Sequence, residues 1–300
     1  MSSPLKSVAV IGAGGSIGTI VVNGLIESSQ FTITAITRSE SKATFPAGVI
    51  VRKTNFSETD LEAAFKGKDA VISTVGSAAF SDQKKYVDAA VRAGVKRFIP
   101  SEFSASSLNA AVRGLLPLFE VKKELLEYLK AKEGEGLTWT GIFPSLLFDW
   151  GLGNGFLQFD IPNRKATIWD GGSKSFTLTN EKQLAQAVVS VLQYPQETQN
   201  QNINIASVET TQNEILAALE EETGAKWSVT STTTDEQVSE ARKKLGAGDF
   251  SGAFMLVRAT TYASIPGLQS NYVKDLNLSN DLLGLELESV KKTVKRVVGN

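Results

Sequence analysis

Val8-Ala-Val-Ile11-Gly12-Ala-Gly14-Gly15-Ser16-Ile17-Gly18 is the stretch on which the fold turns. A short apolar run breaks into glycines, and a helical pattern, Ile17–Ser28, takes over at once. Glycines at such a strand-to-helix turn let backbone N–H groups and a helix N-terminus come close to a phosphate, as a dinucleotide pyrophosphate requires. Gly12, Gly15 and Gly18 give a G-x-x-G-x-x-G spacing, because Ile17 stands where the strict G-x-G-x-x-G pattern has its third glycine. A turn that binds no ligand is the alternative.

Downstream units support the phosphate-binding reading. Strands are expected at Val8–Ile11, Phe31–Thr37, Val49–Lys53, Ala70–Thr74, Arg97–Pro100 and Leu137–Phe143, with helices at Ile17–Ser28, Thr59–Phe65, Asp82–Ala93 and Leu116–Ala131. Alternation of this kind predicts right-handed crossovers and a Rossmann-type α/β fold, a doubly wound parallel sheet. Ser57 and Asp60 form a capping-box-like helix start, and Gly67 and Gly94 follow two of the helices where a left-handed residue closes a C-terminus.

From Trp150 the chain is richer in Gly and aromatic residues. Helices are expected at Glu181–Leu192, Gln212–Thr223 (with a Thr211–Glu214 capping box), 235–245 and 281–298, and a strand at Asn202–Ala206. The division expected is a nucleotide-binding domain over residues 1–150. Residues 151–300 then form a smaller, interleaved substrate lobe, some of whose elements pack back on the first domain.

The chain's 300 residues, 42% hydrophobic and 21% charged, exclude disordered, collagenous and coiled-coil classes. Its 31 Lys and Arg against 32 Asp and Glu leave no global positive field for nucleic acid or anionic lipid. His and Cys are both absent, which excludes Ser-His-Asp triads, cysteine proteases, zinc fingers and disulfide scaffolds. No metal site is expected, and proton transfer falls to Lys, Tyr, Asp, Glu, a hydroxyl or water. Met1–Ser7 has no apolar run of the secretory type, and Leu137–Phe159 is interrupted by Pro144, Asp149, Gly151, Gly153 and Gly155. A cytoplasmic protein with no membrane partner is the expectation. No sustained heptad specifies an oligomeric state.

Arg38 at the end of the second strand offers a planar fork suited to a 2′-phosphate, with Lys42 as a second charge, so NADP(H) is the favoured cofactor. Glu40 argues the other way, since an acidic residue there binds a ribose diol if the turn is shifted, and a solvated loop charge is the plain alternative for Arg38. Thr37 completes that strand end. Asn55 and Phe56 after the third strand are placed beside the adenine, and Val75, Gly76 and Ser77 after the fourth beside the nicotinamide ribose.

On the helix near residue 118, phasing at 100° per residue puts Lys122 about 40° from Leu118, inside the apolar stripe of Leu125, Leu126 and Leu129. A lysine there is costly unless it snorkels, is paired, or faces a cavity with a lowered pKa. It is the leading candidate for a catalytic group, against the alternative of a packed stem whose head reaches water. Tyr128 and Lys132 have the Y-x-x-x-K spacing of short-chain dehydrogenases but sit off the stripe's centre, so the match is read as accidental.

The chain resembles the isoflavone reductase-like and NmrA-like families, atypical short-chain dehydrogenases, over nearly its full length. The matching words are Gly12–Gly18, Thr37-Arg38, Asp69-Ala-Val-Ile-Ser73, Gly94-Val-Lys-Arg-Phe-Ile-Pro-Ser-Glu-Phe103 and Phe119-Glu-Val-Lys122. Ile142–Gly151 and Trp169-Asp-Gly-Gly172 look more like the fungal branch than the plant enzymes.

The resemblance implies an NADPH-dependent reductase of a small aromatic, phenolic or conjugated carbonyl compound. It also implies that Lys122 contacts the nicotinamide ribose and assists proton transfer, and Ser101, Phe103, Phe143 and Pro144 are added to the expected cofactor contacts. Phe80, Phe103, Phe148, Trp150 and Phe156 are the expected walls of an aromatic substrate pocket. A basic run that follows the lysine in the plant proteins is here Lys123-Glu-Leu-Leu-Glu127, which leaves the substrate open. Two other readings stand beside the reductase: an NmrA-like NADP(H)-sensing regulator that does no catalysis, and an enzyme that retains its cofactor through a non-redox reaction.

Overall fold

The structure, a computed structural model, describes residues 4–299. Met1–Ser3, part of the stretch read for a secretory signal, and Asn300 lie outside the described residues. The first half runs β1 (Ser7–Ile11), α1 (Ser16–Glu27), β2 (Thr32–Arg38), β3 (Ile50–Thr54), α2 (Glu58–Phe65), β4 (Ala70–Ser73), α3 (Gln83–Arg92), β5 (Arg97–Ile99), α4 (Ala110–Leu115), α5 (Leu118–Ala131) and β6 (Thr138–Phe143).

The second half runs β7 (Leu146–Leu147), α6 (Phe148–Gly153), β8 (Phe159–Asp160), β9 (Lys165–Trp169), β10 (Ser175–Thr179), α7 (Glu181–Gln193), β11 (Gln201–Asn204), β12 (Val208–Thr211), α8 (Gln212–Thr223) and β13 (Ser228–Thr232). It ends in five helices: α9 (Thr234–Gly246), α10 (Ser251–Tyr262), α11 (Tyr272–Asp275), α12 (Asn280–Leu283) and α13 (Val290–Val298).

Seven parallel strands form the main sheet in the order β11-β6-β5-β4-β1-β2-β3. This is the expected doubly wound α/β fold. Strand β1 shows why: it is buried on both faces, so Val8 and Val10 pack with α1 and α7, while Ala9 and Ile11 pack with α2, α3 and α5. The strand order reverses between β1 and β4, and there the carboxyl ends of the strands leave a crevice.

Two three-stranded sheets, β12-β10-β7 and β13-β9-β8, organise the smaller lobe around Phe148, Trp169, Phe176 and Tyr262. The second half also supplies β11 to the main sheet and α7 to one of its faces.

Gly67 and Gly94 both have φ +74° at their helix ends, and the Thr211–Glu214 capping box is complete. Ser57 accepts the Asp60 N–H, but the Asp60 carboxylate turns to Asn55 N and Arg52 instead, so that box is half made. Three expectations are corrected. Residues 281–298 are two helices, because Gly284 (φ +66°) closes α12 before α13 begins. The Gly-rich stretch after Leu147 contains the helix α6, and α10 lies where no helix was expected. No described helix is long and apolar enough to cross a membrane, and among the described residues no His, Cys, Asp and Glu cluster could hold a metal.

Candidate functional site

A cavity of about 890 Å³ occupies the crevice at the carboxyl ends of β1, β2, β3 and β4. Its floor is Gly12–Gly15, and a Cβ at Gly12 would stand 2.8 Å from the Thr74 carbonyl oxygen, while one at Gly18 would stand 2.2 Å from that of Gly12. The glycines therefore let the turn fold tightly onto β4 and bring the first turn of α1 beneath the cavity, the geometry in which helix N–H groups can meet a phosphate. Gly15 N–H donates to the Gly12 carbonyl at 2.9 Å, which holds the turn closed.

Thr37, Arg38, Glu40 and Ser41 form one wall and Thr54, Asn55 and Phe56 the next; Thr74–Ala79 close the far side. The Thr37 hydroxyl is buried in this wall and has no hydrogen-bond partner, so it stands ready for a polar group of a ligand. Arg38 is 78% exposed and its Nε lies 3.5 Å from Glu40, which leaves most of the guanidinium free to meet an anion. The glycine cradle, the orphaned hydroxyl and the exposed arginine together fit a phosphorylated dinucleotide.

Lys122 lies on the buried face of α5 with Phe119, Leu125, Leu126 and Leu129, and is 6% exposed. Its ammonium donates to the Glu102 backbone carbonyl at 2.5 Å and to Ser104 Oγ at 2.9 Å, and stands 4.8 Å and 5.3 Å from the ring centroids of Phe80 and Phe119. Phe80 follows Ser77–Ala79 of the cavity wall, so the lysine sits behind the cavity's β4 end. Burial pushes the ammonium down to about 8, against the pull of the Glu102 carboxylate. The same burial pushes Glu102 up to about 7, opposed by Lys122.

The expected site residues divide accordingly. Gly12, Gly14, Gly15, Thr37, Arg38, Asn55, Val75 and Gly76 line the cavity. Ser16, Ile17 and Gly18 lie in or at the first turn of α1 beneath it. Ser101 is tied to the wall, its hydroxyl donating to the Val75 carbonyl and its N–H to Gln83 Oε1. Phe103 is 7% exposed in the core above α1, with φ +25°.

Lys42 is exposed and outside the lining, although Ser41 and Ala43 on either side of it line the cavity. Phe143 and Pro144, expected cofactor contacts, and Phe148, an expected substrate wall, are buried and outside the cavity lining: Phe143 at the end of β6, Phe148 at the centre of the lobe, and Pro144 with its carbonyl accepting from Thr179. Trp150 and Phe156 stack at 5.5 Å, but Trp150 lines a separate groove between α1 and α7. The Tyr128 phenol and Lys132 both engage Asp88 and lie outside the cavity lining, in keeping with an accidental match.

Thr74, Tyr86 and Gln83 belong to the site or its wall without having been expected there, whereas Phe56 lines the cavity beside Asn55 as expected. Glu102 lay inside the Pro-Ser-Glu-Phe word but had no role, since only the fold shows where its carboxylate is buried.

The NmrA-like family model matches residues 4–246. Oxidoreductase aprR of Aspergillus flavus is 35% identical over 97% of this chain and 98% of its own length, and oxidoreductase poxI of Penicillium oxalicum is 32% identical over 95% and 92%. Among solved structures, AtPrR2 with NADP+ and (+)pinoresinol covers 99% of this chain and 100% of its own, with a TM-score of 0.78 at 19% identity.

Proposed function

The chain belongs to the NmrA-like family, and on that premise we propose that it is an NADP(H)-dependent reductase of a small aromatic, phenolic or conjugated carbonyl compound. Its full-length relatives aprR and poxI are named oxidoreductases, and AtPrR2 shares its fold and was solved with NADP+ and (+)pinoresinol. The observation that carries the reading is the buried Lys122 ammonium behind the β4 end of a glycine-floored cavity.

Gly12–Gly15 and the first turn of α1 would hold the pyrophosphate, Arg38 the 2′-phosphate, and Val75 and Gly76 the nicotinamide end. When bound, the nicotinamide supplies a hydride. Reduction of a conjugated C=C or C=O leaves negative charge on the substrate, and Lys122 holds the proton that neutralises it. With its pKa lowered to about 8, the ammonium is a stronger acid than an exposed lysine and is still protonated at neutral pH. Phe80 and Phe119 shield it from water and favour its charged form. The regulator reading gives this buried lysine no task.

Turnover by the purified protein with NADPH, on a panel of phenolic enones, benzylic ethers and quinones, is the test. Wild type oxidises NADPH with at least one compound. Lys122→Met binds NADPH within about 3-fold of wild type and loses about 10²-fold or more in rate, the ordinary scale of a lost general acid. No turnover across the panel, or undiminished turnover in the variant, would sink the proposal.

A further inference from the structure

Glu102 is 1% exposed, and neither oxygen of its carboxylate has a hydrogen-bond partner. A carboxylate in that position is strongly destabilised unless an opposite charge is near. Three groups face it. Lys122 comes from α5 and bonds to the Glu102 backbone carbonyl, which brings its ammonium near that residue's carboxylate without a direct salt bridge. Ser107 brings a fully buried hydroxyl that is itself unpartnered, and Tyr272 of α11 brings a phenol whose oxygen accepts the Ser106 N–H at 3.1 Å. Burial holds that phenol well above its ordinary range, so it stays neutral and Lys122 is the cation of the group.

We propose that Glu102 is a positioning residue for proton delivery: its buried carboxylate is the counter-charge that keeps Lys122 as an ammonium, in place to protonate the substrate. The inference rests on the reductase reading for the use of that proton, but not for the pairing itself. Phe103, with φ +25°, fixes the backbone immediately after Glu102 in a conformation that L-residues rarely adopt.

The sign of the effect follows from the charges. Without the carboxylate, only the Glu102 carbonyl, Ser104 Oγ and the Phe80 and Phe119 rings offset burial of the ammonium, so Lys122 gives up its proton at lower pH. In Glu102→Gln the alkaline limb of kcat/KM then moves down by about one unit, which is about a 10-fold loss at a pH above both midpoints and little change well below them. Glu102→Asp, which keeps the charge, returns the limb toward its wild-type place.

The direct measurement is a pH titration of ¹³Cε-lysine signals in the NADP+-bound protein, with Lys122 identified by the peak missing from Lys122→Met. A lower Lys122 midpoint in Glu102→Gln supports the pairing, and an unmoved one overturns it. A second arm does not need that variant to fold: in Lys122→Met the Glu102 ¹³Cδ midpoint rises once the ammonium is gone, and an unmoved midpoint again overturns the pairing. Neither titration needs a substrate. Shifted midpoints with no turnover would keep the pair and remove the reductase reading; turnover with unshifted midpoints would do the reverse.

Discussion

Arg38 stands at the open mouth of the crevice, 78% exposed and only loosely paired with Glu40 at 3.5 Å. An exposed ion pair of that kind contributes little to stability. On the proposed assignment the arginine meets a ligand phosphate, where a charge-assisted fork is worth about 1.5–3 kcal/mol. Arg38→Ala is therefore expected to weaken NADPH binding by about 10- to 100-fold and NADH binding far less, with the unfolding temperature nearly unchanged. Parallel tryptophan-fluorescence titrations with the two cofactors check this, and equal losses for both would refute the assignment.

Arg38 and the glycines were legible because a turn motif depends on local spacing. Glu102 was not, because burial of its carboxylate near a lysine twenty positions later, which bonds its backbone carbonyl, is a fact of tertiary packing. Phe143 and Phe148 show the same limit, since an aromatic residue near glycines has no sign of whether it faces a cavity or a core.

At the scale of elements, helix phase was the informative signal. The stripe of α5 placed Lys122 inward before any coordinates, and the same periodicity set Tyr128 and Lys132 aside. Capping chemistry was equally readable at α8, where Thr211 and Glu214 satisfy each other's backbone donors. Thr211→Ala should cost about 1 kcal/mol, seen as a lower urea midpoint at unchanged slope, while NADPH affinity stays at the wild-type level. A midpoint identical to wild type would show that the box contributes nothing.

Helix α10 escaped because its sequence, Ser-Gly-Ala-Phe-Met-Leu-Val-Arg-Ala-Thr-Thr-Tyr, has no clean apolar stripe and no side-chain cap, and its helicity comes from packing on α9 and the lobe core. Its neighbour Phe250 and its own Phe254 even point to solvent, which blurs the period further.

Across the whole molecule, one buried cation ties the halves of the chain together. Arg97 of β5 is 1% exposed and donates to the hydroxyls of Thr138, Thr140 and Thr198 and to the Pro195 carbonyl. It thereby links β5 and β6 to the loop that delivers β11. Arg97→Ala leaves those acceptors unpaired around a cavity and is expected to destabilise the protein by about 3 kcal/mol or more. Denaturant unfolding of this variant measures it, and a loss below about 1 kcal/mol would show that the network does not hold the halves together. The alternation of the first half carried the sheet in the sequence, whereas this link joins positions about a hundred residues apart and leaves no periodic trace.

The edge position of β11 also orders events during synthesis. Strands β1–β6 emerge first, yet the free edge of β6 has its pairing groups unmatched until residue 204 is made, and the Leu184–Val191 face of α7 that covers the sheet arrives only shortly before. A nascent chain halted near residue 150 exposes both a bare strand edge and an uncovered apolar face. Over that interval the growing polypeptide is a natural client for a holdase chaperone, and a translational pause placed there would favour aggregation, whereas one placed after β11 would not.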